Sequence, residues 1–409
     1  MTWVPRPRRR AAGLAGGALV LFFVGSNVQA GWLYVLSAFL LGTHLAGWIL
    51  PLLMVRRIRV SRSVPVEAYQ GRATSVDLIV RDASLGAALG VVLEDAHLAP
   101  TLAYVPWLKP GDRVEVRTER VATRRGLQGP TEVVVSSSGP LGVATARRRI
   151  ELEGRTLVFP AVTQLGPLPF VHAADTHERS VHPYPRMGQG PEFMGVREYR
   201  PGDGIRHVHW PSTARHGTLI VREFEEETTR RLALIVDTSN DLGTEWTPLD
   251  RCCSAVASIA LAALTQGHGA RLIASRDGVP HSLARADEHE LLEWLARLRP
   301  GGGLRLHELL DTIGEELRGV RTAVLALPNW RSNDVEALTP AIERLFESVA
   351  FVVAVIVEVD AALAPVGSVL AAPATDELVS RMEAVGAETY RWAPGQDDLA
   401  TALRLEAAV

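Results

Sequence analysis

Asp237-Thr238-Ser239-Asn240-Asp241 follows directly on the apolar run Arg231–Val236 and places side-chain oxygens at i, i+2 and i+4 of one turn. Oxygens at that spacing can converge on a single hard cation such as Mg²⁺. The set Asp237, Ser239 and Asp241 is nonetheless thin: two acids in one turn, with Pro328-Asn329-Trp330 rather than a carboxylate after the next strand-like run, Thr322–Leu327. The expectation is a degenerate site that holds Mg²⁺ weakly or not at all, with no other cofactor. The competing use of the same residues is structural, Asp237 and Ser239 capping the following helix or ordering the loop.

The densest chemistry lies upstream, from Gly190 to Glu225. His207 and His209 stand at i, i+2 and, with Asp203, suggest zinc, but a lone His-x-His has no further ligand spaced to complete a tetrahedron. His209 beside acids suggests a general base; it has no paired nucleophile, only Ser212 and Thr213 nearby. Arg197, Arg206, Arg215 and Arg222 are matched by Glu192, Glu198, Asp203 and Glu223. Guanidinium and carboxylate pair bidentately, so the set reads as a fixed ion-pair lattice between domains or as a partner-binding surface. No catalytic residue is assigned.

The elements around these residues change grammar along the chain. Between Arg57 and about Pro160, the runs Ala73–Val80, Arg113–Val121, Thr131–Val135, Thr145–Leu152 and Thr156–Phe159 are β-branched or alternating and broken by turn residues, which predicts an antiparallel β-sandwich. Glu67 and Asp95 stand singly there, with no partner at a spacing that suggests a site. From about Arg230 onward, strand-like runs at Arg231–Val236, Arg271–Ala274, Thr322–Leu327, Phe351–Glu358 and Glu388–Trp392 alternate with helical stretches at Pro248–Gln266, Asp287–Arg297, Leu306–Leu317, Asn333–Glu347 and Thr375–Val385. That alternation predicts an α/β domain with a mostly parallel sheet, whose ligands collect beyond the carboxyl ends of the strands.

No Asp, Glu, Lys or Arg occurs from Ala11 to Val55, and arginines bracket the tract: Arg6, Arg8, Arg9 and Arg10 before it, Arg56, Arg57 and Arg59 after it. A span takes about 20 apolar residues, so the tract holds two. Gly25, Ser26 and Asn27 form its one polar break, giving spans near Ala11–Val24 and Trp32–Val55. Basic flanks on both sides put both ends, and the bulk of the chain, in the cytoplasm of a multi-pass inner-membrane protein. Val28-Gln29-Ala30 also resembles a signal-peptide cleavage site, but the second span would still hold the remainder. Cys252 and Cys253 are the only cysteines, which excludes a disulfide framework. A net charge of −3 gives no bulk signal, and the arginine runs lack the aromatic interleaving of a nucleic-acid binder. Arg56–Arg62 is expected against anionic headgroups.

Gly195-Val196-Arg197-Glu198-Tyr199-Arg200-Pro201-Gly202-Asp203, followed by Arg206, His209-Trp210, Thr213-Ala214-Arg215 and Val221-Arg222-Glu223-Phe224, resembles the signature of the domain-of-unknown-function-58 family. The turn at Asp237 resembles the metal-adhesion turn of von Willebrand factor type A domains, whose pattern is Asp-x-Ser-x-Ser, with Asp241 in place of the last serine. In Ser138-Gly139-Pro140, Gly139 departs from the Asp that family members often carry before the proline. The resemblance implies a membrane hairpin (1–58, spans of about 11–28 and 32–55), a β-sandwich-like domain (59–160), a linker with the signature (161–229) and a von Willebrand A-like domain (230–409). It also implies the company of MoxR-type AAA+ ATPases and other membrane or von Willebrand A proteins. The expected function is therefore that of a membrane-tethered cytoplasmic adaptor or assembly factor that contacts partners through Arg197, Glu198, Tyr199, Asp203, Arg206, His209, Trp210, Arg215, Arg222 and Glu223. The alternative is a hydrolase or metal-dependent enzyme centred on Asp203, His209 and Asp237.

Overall fold

In the computed structural model, residues 6–7, 9–82, 86–171, 187–198, 208–225, 231–284, 286–314, 316–317, 320–329, 335–359, 375–393 and 398–404 are described. They form two compact units, Met1–Ala161 and Val162–Val409.

In the first unit a two-residue strand, β1 (Arg6–Pro7), precedes two helices, α1 (Arg9–Val28) and α2 (Gly31–Arg57). Both are long and apolar enough to cross a membrane. Gly25, Ser26 and Asn27 do not break the helix as the sequence suggested; the reversal falls at Gln29, in a left-handed conformation, and Ala30. In lipid every backbone polar group must bond internally, which favours carrying the helix through a weak breaker. Ser37 likewise bonds back, its hydroxyl donating to the Ala18 carbonyl at 2.7 Å. A third helix of sufficient length and apolarity, Pro248–Thr265, belongs to the core of the second unit, where most of its residues are buried.

The strands of the first unit are β2 (Ile58–Ser63), β3 (Glu67–Tyr69), β4 (Ala73–Asp82), β5 (Ala88–Asp95), β6 (Thr101–Leu108), β7 (Arg113–Val121), β8 (Gly126–Gln128), β9 (Thr131–Ser137), β10 (Ala144–Leu152) and β11 (Thr156–Phe159). They make a five-stranded sheet, β1-β10-β9-β5-β6, and two of three strands, β2-β4-β7 and β3-β11-β8. Ile58, Leu78 and Val80 share one core with Val91, Leu93, Ala103, Val105, Val133, Val135 and Ala146, so the inner faces of two sheets close on each other. Among the described residues of this unit, β11 and β3 are the one parallel pair. The last turns of α2 belong to the same core through Val55, Leu52 and Met54. Gly47 is the closest approach, since a Cβ there would lie 2.5 Å from the Val143 side chain. Gly139 packs against Pro51 of the same helix.

The second unit holds β12 (Met187–Glu198) and β13 (Ile220–Glu225), an antiparallel pair with the short helix Trp210–His216 between them in sequence. Its main sheet is built from β14 (Arg231–Val236), β15 (Gly269–Arg276), β16 (Val279–Ala284), β17 (Val320–Pro328), β18 (Phe351–Val357) and β19 (Glu388–Trp392). The order is β16-β15-β14-β17-β18-β19, parallel throughout except for the edge strand β16. Continuous apolar runs such as RLALIV and FVVAVIV suit strands buried on both faces. Helices Leu306–Thr312, Val335–Ser348 and Thr375–Ala384 supply Leu309, Leu310, Leu338, Ile342, Leu345, Leu378 and Met382 to one core with Ile235, Leu325 and Ile356.

Candidate functional site

Counted within the main sheet alone, the strand order is 3-2-1-4-5-6, so the chain reverses its direction of winding between β14 and β17. Ligand crevices of doubly wound sheets open at such a point, beyond the carboxyl ends of the strands. Asp237 follows β14 there and Asn329 follows β17; both are buried.

The turn after β14 is internally bonded. The Ser239 backbone N–H and hydroxyl both donate to Asp237 Oδ1, at 2.9 and 2.6 Å. Asp241 Oδ1 accepts from the backbone N–H of Leu249 at 3.2 Å, within the first turn of helix Pro248–Thr265. A carboxylate in that position offsets an unpaired amide and the positive end of the helix dipole. Thr247 and Asp250 complete a capping box at the same helix end. Thr238 turns inward, its hydroxyl donating to Ser275 O at 2.8 Å while its carbonyl accepts from Gly301 N at 2.8 Å. Gly302 passes so close that a Cβ would lie 2.4 Å from Thr238 Oγ1. Asn329 uses its amide on neighbours, donating to Thr375 Oγ1 at 2.7 Å and accepting from Val359 N at 3.0 Å.

For Mg²⁺ the donor set is thus two carboxylates and one hydroxyl, each already engaged in ordering the turn or the helix start. Among the described residues there is no group of three or more His, Cys, Asp and Glu side chains arranged to hold a metal ion.

The signature stretch is described in part. Tyr199, Asp203, Arg206 and His207 lie outside the described residues. Arg197, Glu198, Arg222 and Glu223 are placed by backbone only, with Arg197 opposite Val221, Glu198 opposite Ile220, Val196 opposite Arg222 and Gly195 opposite Glu223. His209 caps the helix Trp210–His216: its carbonyl accepts from the N–H groups of Ser212 and Thr213, and its Nδ1 lies 2.7 Å from Ser212 Oγ. That ring-to-hydroxyl contact is what a base and nucleophile would make, and it is also what a residue at a helix start makes with one three positions on. Trp210 and Arg215 are exposed on this helix. Cys252 and Cys253 are buried and unbridged.

One cluster escaped the sequence. Asp95, read as a solitary acid, sits between two arginines: Arg62 Nη1 donates to its Oδ1 and Arg120 Nη1 to its Oδ2, each at 2.9 Å, with all three side chains fully buried. Arg62 is therefore not a headgroup residue; it also donates to Thr131 Oγ1 at 2.6 Å and to the Leu152 carbonyl at 3.1 Å. Arg120 further donates to the His97 carbonyl at 2.7 Å, and the His97 N–H donates to Asp95 Oδ1 at 3.1 Å. Thr156 Oγ1 donates to Pro65 O, so at its 3.1 Å contact with His97 Nε2 the imidazole must be the donor. Burial first, and then the Arg62 and Arg120 charges against the opposing Asp95, push the His97 pKa down to about 4. Burial also lowers that of Arg62. The partners come from β2, β5, β7, β9, β10 and β11 and from the segments after β2 and β5, a convergence that no sequence spacing encodes.

Residues 195–391 match the family model described as protein of unknown function DUF58. The matched segment takes in β13, the helix Trp210–His216, the Asp237 turn and the main sheet, and it supports the family resemblance carried by the signature. No curated protein matches the chain. Among solved structures, a β-glucosidase from Listeria innocua in complex with glucose is 18% identical over 24% of this chain, with a TM-score of 0.15. This chain spans only 16% of that enzyme's length. The alkylpurine DNA glycosylase AlkC of Pseudomonas fluorescens, bound to DNA with an abasic site analogue, is 15% identical over 32% of this chain and 42% of its own, at a TM-score of 0.14. The SrpA adhesin of Streptococcus sanguinis is 11% identical over 36% and 83%, at 0.17. At such scores none of the three carries an argument.

Proposed function

We propose that the chain is a membrane-tethered cytoplasmic adaptor or assembly factor that works beside a MoxR-type AAA+ ATPase. It binds protein partners through the signature stretch and a von Willebrand A-like second unit. The observation that carries this reading is the family match over 195–391, joined in one chain to two apolar helices suited to membrane anchoring. The Asp237 turn fits a loop-ordering role, because its carboxylates are bonded to the turn and to a helix start. Both spans cross the inner membrane, and the residues after α2 are cytoplasmic.

The test is co-purification of the detergent-solubilised full-length chain with non-hydrolysable ATP. An adaptor retains an ATPase partner, and keeps it when a single acid such as Asp237 is replaced. Failure to retain any ATPase, together with a turnover that vanishes in Asp237→Ala or His209→Ala while the fold persists, favours the enzyme centred on Asp203, His209 and Asp237 instead. A periplasm-active reporter fused after Arg59 checks the topology, and its strong export overturns the cytoplasmic placement.

A further inference from the structure

Arg59 on β2 pairs directly with Arg81 on β4, and Arg81 pairs directly with Arg113 on β7. Three arginines that are 22 and 32 positions apart in sequence thus stand in one cross-strand row, all exposed. Strands are about 4.8 Å apart, so the row spans about 10 Å. Like charges directly opposite on neighbouring strands destabilise a sheet, and among the described residues none of these three makes an ion pair. The sheet does neutralise arginine elsewhere: four pairs along, on the same face, Arg117 meets Asp77 at 2.9 Å. Between the two rows, Glu115 on β7 stands opposite Ile79 rather than an arginine.

The row begins at Arg59, two residues beyond the end of α2, where Arg56 and Arg57 are also exposed. From Gly31 to Arg57 an α-helix rises about 39 Å. A hydrocarbon core is about 30 Å thick, and about 40–45 Å with its headgroups, so the end of α2 and the row after it reach headgroup level. The turn between β9 and β10, which packs on α2 at Gly47 and Pro51, carries no charge.

We infer that Arg59, Arg81 and Arg113 form a binding row for the phosphates of anionic phospholipids in the membrane that the hairpin enters. Guanidinium groups meet phosphate oxygens bidentately, and a planar row of them offers what flexible juxtamembrane arginines alone do not: fixed spacing. The row holds the β-sheets against the bilayer surface, so that α2 does not act as a free hinge. This rests on membrane anchoring by the hairpin and adds the lipid class and the residues.

The test uses the full-length chain in bilayers of mixed phosphatidylglycerol and phosphatidylcholine, reading the ratio of the two lipids retained after mild detergent extraction. An arginine beside an anionic surface contributes about fivefold in attraction, so the double variant Arg81→Gln, Arg113→Gln should lower phosphatidylglycerol enrichment between about fivefold and 25-fold. An unchanged ratio overturns the inference. If the double variant does not fold, the native chain decides: exposed contacts are screened by salt, and enrichment indifferent to high salt overturns it equally. Flotation with vesicles separates the two levels. A chain that fails to float refutes the anchoring beneath the inference, whereas one that floats without phosphatidylglycerol preference refutes the arginine row alone.

Discussion

Replacing Asp95 with alanine removes the one acid between Arg62 and Arg120. In the native unit Asp95 accepts from both guanidinium groups at 2.9 Å and from the His97 N–H at 3.1 Å. All three charged side chains are fully buried, so no solvent compensates when the acid goes. Stranding one buried partner typically costs about 3–5 kcal/mol, and here two cations are stranded within reach of each other, which puts the loss at the top of that range, about 5 kcal/mol. Against a domain stability of about 5–15 kcal/mol, this removes between about a third and all of it. At about 2–4 °C per kcal/mol the melting temperature should fall by roughly 10–20 °C. Thermal unfolding of the full-length chain in one detergent measures it. Asp95→Asn should cost nearly as much, because the missing quantity is charge and not volume. A compensating triple variant, Arg62→Met, Asp95→Leu and Arg120→Met, should recover most of the loss, since well-packed apolar groups replace a buried ion set at little or no cost. A fall of under about 3 °C in Asp95→Ala would refute the claim that this cluster holds the β-sheets together.

The other expectations are narrower. His97 has a folded pKa of about 4 against an ordinary 6.5, so as pH falls the unfolded chain takes up the proton first; the contribution is complete above pH 6.5 and drains away between 6.5 and 4, by up to about 3 kcal/mol. Denaturant titrations across that window should show the slope, and His97→Gln should flatten it. Gly47→Ala should destabilise by about 1–3 kcal/mol because its Cβ meets Val143, while Gly42→Ala, with open space around it, should be neutral or mildly stabilising in the same melting assay. Added Mg²⁺ should give no resolvable melting shift, whereas Asp241→Ala should cost about 0.5–2 kcal/mol as a lost helix-start partner. A Mg²⁺-dependent rise abolished by Asp237→Ala would sink that expectation.

Where the pattern was periodic and uniform, sequence and structure agree closely. Arg113–Val121, Thr156–Phe159, Arg231–Val236 and Glu388–Trp392 are strands with the expected bounds. Two of the strands not evident in the sequence share a cause. Pro106 in β6 and Pro280 in β16 argue against a strand on sequence grounds, yet each belongs to an edge strand, where a missing N–H costs no ladder bond. The Asp277-Gly278 turn, with both residues at positive φ, was the available signal for the β15–β16 hairpin. In β5, Gly90 interrupts an alternation that would otherwise have marked Ala88–Asp95.

The sequence by itself determined the apolar hairpin, the change from alternating to continuous strand runs, and the candidate oxygens of the Asp237 turn. These are local properties, fixed by period, by composition and by neighbours a few residues apart. Tertiary structure alone decided what the charged residues do. Arg59 and Arg62 are three positions apart on β2, and strand alternation points them to opposite faces. One face meets Asp95 in a dry core and the other aligns with Arg81 and Arg113 in the open. Whether an arginine becomes a buried tie or a surface grip depends on which strand lies beside it, and long-range pairing sets that.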